Sequence, residues 1–298
     1  MKLTKLSLAI AASVVALGAQ ADTLEKFKTN GKAVMGVREG SIPLSYTIGD
    51  GKYVGYHVEV CEKILAAARK KIGAANMTVE YVPVTSQNRQ PLLMNGTVDI
   101  ECGSTTNNAT RQQQVAFVNT TYVTEVRMAV KANSGIDSIA QLNGKNVITT
   151  TGTTSVQHLR KNEKATGMDF KEVYGKDHSD SFLLLETGRG EAFIMDDNIL
   201  AGQIANSKAP KDYKIAGEIL NVEPIAIMIR KDDPVFKKLA DDTVAELIKS
   251  GELNKLYAKW FTSPIPPKGS NLNMPMGATL KAALAAPNDK PMEDYAKK

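Results

Sequence analysis

The sequence predicts an α/β protein of two lobes, each a doubly wound sheet with helices on both faces, the second inserted in the first. Three observations predict it. Strand-like and helix-like segments alternate from Gly31 to about Tyr122, and the same alternation restarts after Tyr122. The last strand and two helices, from Pro224 to Phe261, then return most naturally to the first run. The lobes are expected at 22–124 with 220–298, and at 125–219.

The opening "MKLTKLSLAIAASVVALGAQAD" carries Lys2 and Lys5, runs apolar from Leu6 to Leu17 and closes on Ala19-Gln20-Ala21. That is the layout of a secretory signal peptide over 1–21, cut before Asp22. The run is shorter than the roughly 18 apolar residues that a membrane anchor needs. A lipoprotein would place a cysteine directly after the cut, whereas the two cysteines are Cys61 and Cys102. The expectation is a soluble protein of a bacterial periplasm. The formal charge, 37 minus 32, is +5, and losing Lys2 and Lys5 leaves +3. This excess is scattered rather than gathered on one element with aromatics between, which argues against nucleic acid as a partner.

"KAVMGVRE" reads as the first strand. In "GYHVEVCEKILAAARKKIG", Val58, Cys61, Ile64, Leu65, Ala68 and Ile72 recur at helical spacing. "MTVEYVPV" is the next strand, "NRQPLLMNG" a short helix stopped by Gly96, and "TVDIECG" a third strand with Val98, Ile100 and Cys102 on its apolar phase. Both cysteines thus fall on buried faces, as free thiols or as a disulfide joining the first helix to the sheet. In the second run "VRMAVKA", "NVITTT", "DFKEVYG" and "EAFIMDD" are strands. "SDSFLLLETG" is a helix capped by Ser179 or Asp180 and ended by Gly188. The tail after Phe261, rich in Pro, Asn and Lys, reads as surface wrapping.

Ligands of such sheets bind outside the carboxyl ends of the strands. There the first lobe offers Arg38, then Ser86 and Arg89, then "GSTTNNATR" with Ser104, Thr106 and Arg111. The second offers Thr154, His178 and the acids Asp196 and Asp197. Turns that open helices expose unpaired N–H groups, and guanidinium forks onto carboxylate through two parallel bonds. A lone arginine is ordinarily surface charge and a threonine-rich turn ordinarily a cap. Their convergence is what points to a ligand: three guanidiniums against one acid suit two carboxylates and one ammonium, an acidic amino acid. His57 and His158, on helices, read as structural or solvated.

Enzyme motifs are missing: there is no G-x-S-x-G, no G-x-x-x-x-G-K-[ST] and no H-E-x-x-H, and the three histidines are scattered. His178 beside Asp180 or Asp196 is the one acid/base pairing on offer. No metal or cofactor is expected. A sensory module of this kind would be expected on a longer chain with a membrane span. A glutamine or asparagine carrier would leave Arg38 and Arg89 without a carboxylate.

The segments "VREGSIPLSY", "GKYVGYHVEV", "VTSQNRQPLLMNGTVDIECGSTTNNATRQQQVAF", "TTGTTS", "KDHSDSF" and "AFIMDD" resemble the periplasmic solute-binding proteins of ABC importers for polar amino acids. "TSQNR", "ECGSTTNN" and "DHSDSF" together point to the branch that carries glutamate and aspartate. The resemblance implies the type II periplasmic-binding-protein fold, two lobes closing on hinge strands near 122–126 and 218–222, a monomer, and delivery to an inner-membrane ABC permease. It implies that Arg111, Thr106 and the turn at Thr154 hold the α-carboxylate, and that Asp196 with Ser104 takes the ammonium. Arg38, Ser86, Arg89 and His178 would surround the side-chain carboxylate. The chain departs from the pattern at Leu44, where relatives often have an aromatic, at Glu59, where they often have Asp, and at Gly40, which leaves the first turn without a side-chain donor.

Overall fold

The computed structural model describes residues 22–295, so the expected leader lies outside the described residues. In the first lobe the strand Lys32–Val37 runs parallel to Thr78–Pro83 on one side and to Ile100–Glu101 on the other. Met228–Arg230 then pairs antiparallel with Ile100–Glu101 and with Val115–Phe117. The second lobe repeats the plan: Asn146–Thr150 lies between Lys171–Gly175 and Ala192–Asp196, both parallel to it. Tyr122–Lys131 follows antiparallel, with Tyr213–Ile225 at the edge. In each lobe the first parallel strand lies between the second and the third, which places a topological switch point beside it.

The inner strands are buried on both faces, as sheets covered on both sides require, while the edge strands Thr78–Pro83 and Lys171–Gly175 are largely half-exposed. Ala33, Met35 and Val37 enter one core with Cys61, Ile64 and Leu65 of the helix Tyr56–Ile72, while Val34 and Val98 meet Leu93 on the other face. In the second lobe Ala192 and Ile194 pack with Leu159, and Phe193 and Met195 with Phe182, Leu185 and Leu200. Cys61 and Cys102 are joined by a disulfide with Cα atoms 6.2 Å apart, tying that helix to the end of the third strand.

The chain crosses between the sheets twice, and the crossings are neighbours. Tyr122 pairs with Ile225, Thr124 with Glu223 and Val126 with Asn221, after which a bulge between Ala216 and Asn221 breaks the register. Two sequence expectations are corrected. The helix His178–Glu186 has Asp177 as its N-cap, because the side chain of Asp180 turns back to accept from the Lys176 N–H at 2.8 Å. The tail is not merely wrapping: Ile265, with Leu280 and Leu284 of the helix Ala278–Ala285, enters the first lobe's core.

Candidate functional site

The carboxyl ends of the two sets of parallel strands face each other, and the side chains they carry line a small chamber. The first lobe lines it with Ser86, Arg89, Ser104 and Thr106, and the second with Thr153, Thr154, His178, Met195 and Asp196. Seven of the nine residues named from the sequence are in this lining. Arg38 stands behind it, bonded to Ser86 and Ser104, and Arg111 lines an adjoining groove beside Gly152.

The three arginines differ in how their donors are used. Arg38 is fully buried; its Nη2 donates to Ser86 Oγ at 3.0 Å and to Asp177 Oδ1 at 2.6 Å, and its Nη1 to Ser104 Oγ at 3.3 Å. Arg111 donates from Nη1 to the Thr106 carbonyl at 2.8 Å and from Nη2 to the Gly152 carbonyl of the other lobe at 3.5 Å. Arg89, at the start of the helix Arg89–Met94, is 2% exposed, and its Nε and Nη1 have no partner among the described residues. The turn after Cys102 opens with Gly103 because a Cβ there would stand 2.1 Å from Glu101 Oε1 and 2.9 Å from Arg38 Cγ.

His178 Nε2 lies 3.3 Å from Arg38 Nη2, and its Nδ1 lies 3.1 Å from Thr150 Oγ1. A guanidinium only donates, so Nε2 is the acceptor and Nδ1 carries the proton. Burial and then the Arg38 charge drive this imidazole down to about 3, so it is neutral at neutral pH. Burial pushes Asp177 up, but the charge and hydrogen bond of Arg38 together with His178 outweigh it and hold the carboxyl below its usual range. Burial, followed by the neighbouring Arg111 charge, lowers Arg89 to about 9. Burial, with the charges of Glu223 and Asp197 behind it, raises Asp196 well above the usual range. The side chain of Asp196 makes no hydrogen bond among the described residues, so a cation arriving there would meet an acid whose ionised form lacks compensation.

The sequence reading set three guanidiniums against one acid. The folded site holds more acid than that: Glu101, Asp177 and Glu223 join Asp196, the first and last fully buried. Glu101 accepts from Thr105 Oγ1 at 2.6 Å, and Glu223 accepts from both Thr106 and Thr154. Of the charged groups that line the chamber, the Arg89 edge on one lobe and the Asp196 carboxyl on the other are left uncommitted, while behind it Arg38 Nε and Glu101 Oε1 also lack a partner among the described residues.

The lobes touch at the chamber, where Thr106 Oγ1 lies 3.2 Å from Thr154 Oγ1, and outside it, where Gln203 Nε2 donates to the Gly40 carbonyl at 2.7 Å. Gly202, inside the helix Asp197–Asn206, faces Ile42 so closely that a Cβ would come within 2.6 Å of it.

Residues 33–263 match the family described as bacterial extracellular solute-binding proteins, family 3. The chain belongs to that family. This solute-binding protein is 45% identical over 299 residues to the glutamate/aspartate import solute-binding protein of Escherichia coli (strain K12), covering 97% of this chain and 99% of the relative. It is 44% identical over 293 residues to the L-glutamate/L-aspartate-binding protein of Pseudomonas aeruginosa, covering 97% of each. A mutant of ArgBP from T. maritima superposes with a TM-score of 0.71 at 24% identity, over 80% of this chain and 99% of that one. The last likeness carries the fold, the type II periplasmic-binding-protein architecture expected from the sequence.

Of the departures noted in the sequence, Leu44 is a fully buried core residue of this solute-binding protein, Glu59 pairs with Lys259 at 2.5 Å, and Gly40 supplies its carbonyl to Gln203. None of the three lines the chamber. Sequence reasoning missed Asp177, although it directly precedes His178 in "KDHSD", and it missed Glu223, whose one signal is an acid in the otherwise apolar "VEPIAIMI". His158, read as structural or solvated, bonds Glu223 at 2.5 Å, and His57 is fully buried, bonded to the Gly103 carbonyl and Thr121.

Proposed function

We propose that this protein is a periplasmic receptor that captures L-glutamate or L-aspartate between its lobes and delivers it, as a monomer, to an ABC permease of the inner membrane. The observation that carries the reading is the buried guanidinium edge of Arg89 opposite the buried carboxyl of Asp196 across one small chamber. The names of the two relatives above point the same way. In this reading the ligand's side-chain carboxylate meets Arg89 and Ser86 beside His178, and Arg38 holds Ser86 from behind. The α-carboxylate meets Arg111 and the amino-terminus of the helix Thr154–Thr166, where N–H groups and the helix dipole favour an anion. The ammonium meets Asp196.

Capture starts on the first lobe, through the arginines, and contacts from Thr154, His178 and Asp196 then favour the closed arrangement in proportion to the affinity they add. The site holds its ligand without converting it, and the leader is removed on export. The test is calorimetric titration of the mature protein, unfolded and refolded to strip any cargo, against L-glutamate, L-aspartate, L-glutamine and L-asparagine. An amide leaves a buried guanidinium without its carboxylate, a loss of about 1.5–3 kcal/mol. Tight binding of an acid with its amide at least tenfold weaker is the expected result. Silence toward both acids, or preference for an amide, overturns the reading.

A further inference from the structure

Glu223 is a fully buried acid on the crossing strand Tyr213–Ile225, does not line the chamber, and has no part in the capture scheme above. One of its oxygens, Oε2, is 2.6 Å from Thr106 Oγ1 of the first lobe and 2.8 Å from Thr154 Oγ1 of the second. The other, Oε1, is 2.5 Å from His158 Nε2. A carboxylate only accepts, and each threonine hydroxyl has one proton to give. The two hydroxyl oxygens are 3.2 Å apart, farther from each other than either is from Glu223, so both protons point at the carboxylate.

This commitment decides what the two hydroxyls can offer the chamber they line. With their protons spent, they present lone pairs alone. A ligand carboxylate brings no proton to such a surface, whereas an ammonium brings three. Thr106 and Thr154 can therefore serve a carboxylate through backbone N–H groups, while their side chains extend the cation-accepting end that begins at Asp196.

We propose that Glu223 is a specificity-determining positioning residue: by taking the protons of Thr106 and Thr154 it turns both hydroxyls into acceptors, and so makes the site require an ammonium group on its dicarboxylate ligand. His158 holds the far oxygen and keeps the carboxylate in place. Burial alone would push Glu223 up, but the hydrogen bond and charge of His158, with the two threonine donors, bring it below its usual range, so it is ionised at neutral pH.

The inference rests on the acidic amino-acid reading, and the experiment separates the two. L-Glutamate and glutarate, which is glutamate without the ammonium, are titrated calorimetrically into the wild-type protein and into Glu223→Met, with thermal unfolding confirming that the variant is folded. Methionine at this position keeps the length but has no oxygen to accept from Thr106 or Thr154, so both threonine protons are released toward the chamber. The variant is expected to lose at least tenfold in glutamate affinity and no more than about threefold for glutarate, so the ratio between the two ligands collapses. Thr154→Val removes one hydroxyl and leaves Glu223 bonded to Thr106 and His158, and it serves where Glu223→Met does not fold; it too is expected to weaken glutamate more than glutarate. Equal losses for both ligands, or an unchanged glutamate-to-glutarate ratio, overturn the proposal while leaving the functional reading intact. A wild-type protein that binds neither acidic amino acid overturns the functional reading, and this inference with it.

Discussion

Asp196 and His57 show how burial sets the chemistry of single residues here. Asp196→Asn keeps the shape of the chamber but removes the charge that an ammonium would balance. Binding of L-aspartate is expected to fall by tenfold or more while binding of succinate changes far less, as read by calorimetry; equal losses would give Asp196 a structural role instead. His57, bonded on both ring nitrogens, is lowered to about 4 by burial, which outweighs its bond to the Gly103 carbonyl. Between pH 6.5 and about 4 the unfolded chain therefore holds a proton that the folded one refuses, so stability rises with pH across that window. The term is fully present above pH 6.5 and lost on acidification, amounting to roughly 3 kcal/mol by pH 4. Asp196 acts with the opposite sign, since its raised value lets the folded chain keep a proton that the unfolded one releases. Comparing His57→Gln with wild type isolates the histidine: the drop in urea midpoint between pH 7 and pH 4.5 is expected to be smaller in the variant. The arginines and threonines were legible in the sequence because each directly follows a recognisable strand. The acids that partner them were not, since Glu223 meets Thr106 and Thr154 only after the chain has crossed between the lobes twice.

At the scale of elements, the strand and helix periods gave nearly every segment of the two sheets, because strands buried on both faces are apolar runs bounded by glycine-bearing turns. Val115–Phe117, three residues long, escaped, and so did the edge strand Tyr213–Ile225, of which only a hinge near 218–222 was expected, from the resemblance. The edge strand is half-exposed along much of its length, carries Glu218 and Glu223, and is broken by a bulge, so neither a period of two nor an apolar run marks it. The tail helix Ala278–Ala285 escaped for a different reason: it is short, alanine-rich and preceded by proline and asparagine, a composition that reads as covering rather than core. Cys61 and Cys102 were placed on buried faces but not joined, since their separation depends on how the helix Tyr56–Ile72 docks. Their bond closes a loop of 41 residues, for which the chain-entropy relation gives about 4 kcal/mol of stabilisation. Reduction under native conditions is expected to lower the urea-derived stability by about that much, and an unchanged transition would mean that the unfolded chain is already compact there.

For the whole molecule the decisive contacts are those between the lobes. Gly202 meets Ile42 across the cleft, and a methyl group added there would be driven against a core residue unable to withdraw. Alanine inside a helix is about 1 kcal/mol better than glycine, so Gly202→Ala should leave the second lobe as stable or more so. Affinity for acidic amino acids is nevertheless expected to fall at least tenfold, and the ligand-induced compaction seen by small-angle scattering to shrink. Undiminished affinity and compaction would mean that the bound lobes do not meet at this point. The pairing of the two crossing strands has one more consequence. Val126 lies in register with Asn221, and Lys131 with Tyr213, so everything between leaves and re-enters the fold at adjacent points. The second lobe is thereby a cassette: cut at those paired positions, it can be exchanged for that of a relative without rerouting the chain. Thr154, His178 and Asp196 would travel together into a host that keeps its own arginines, and each half of ligand choice could be inherited from a different parent.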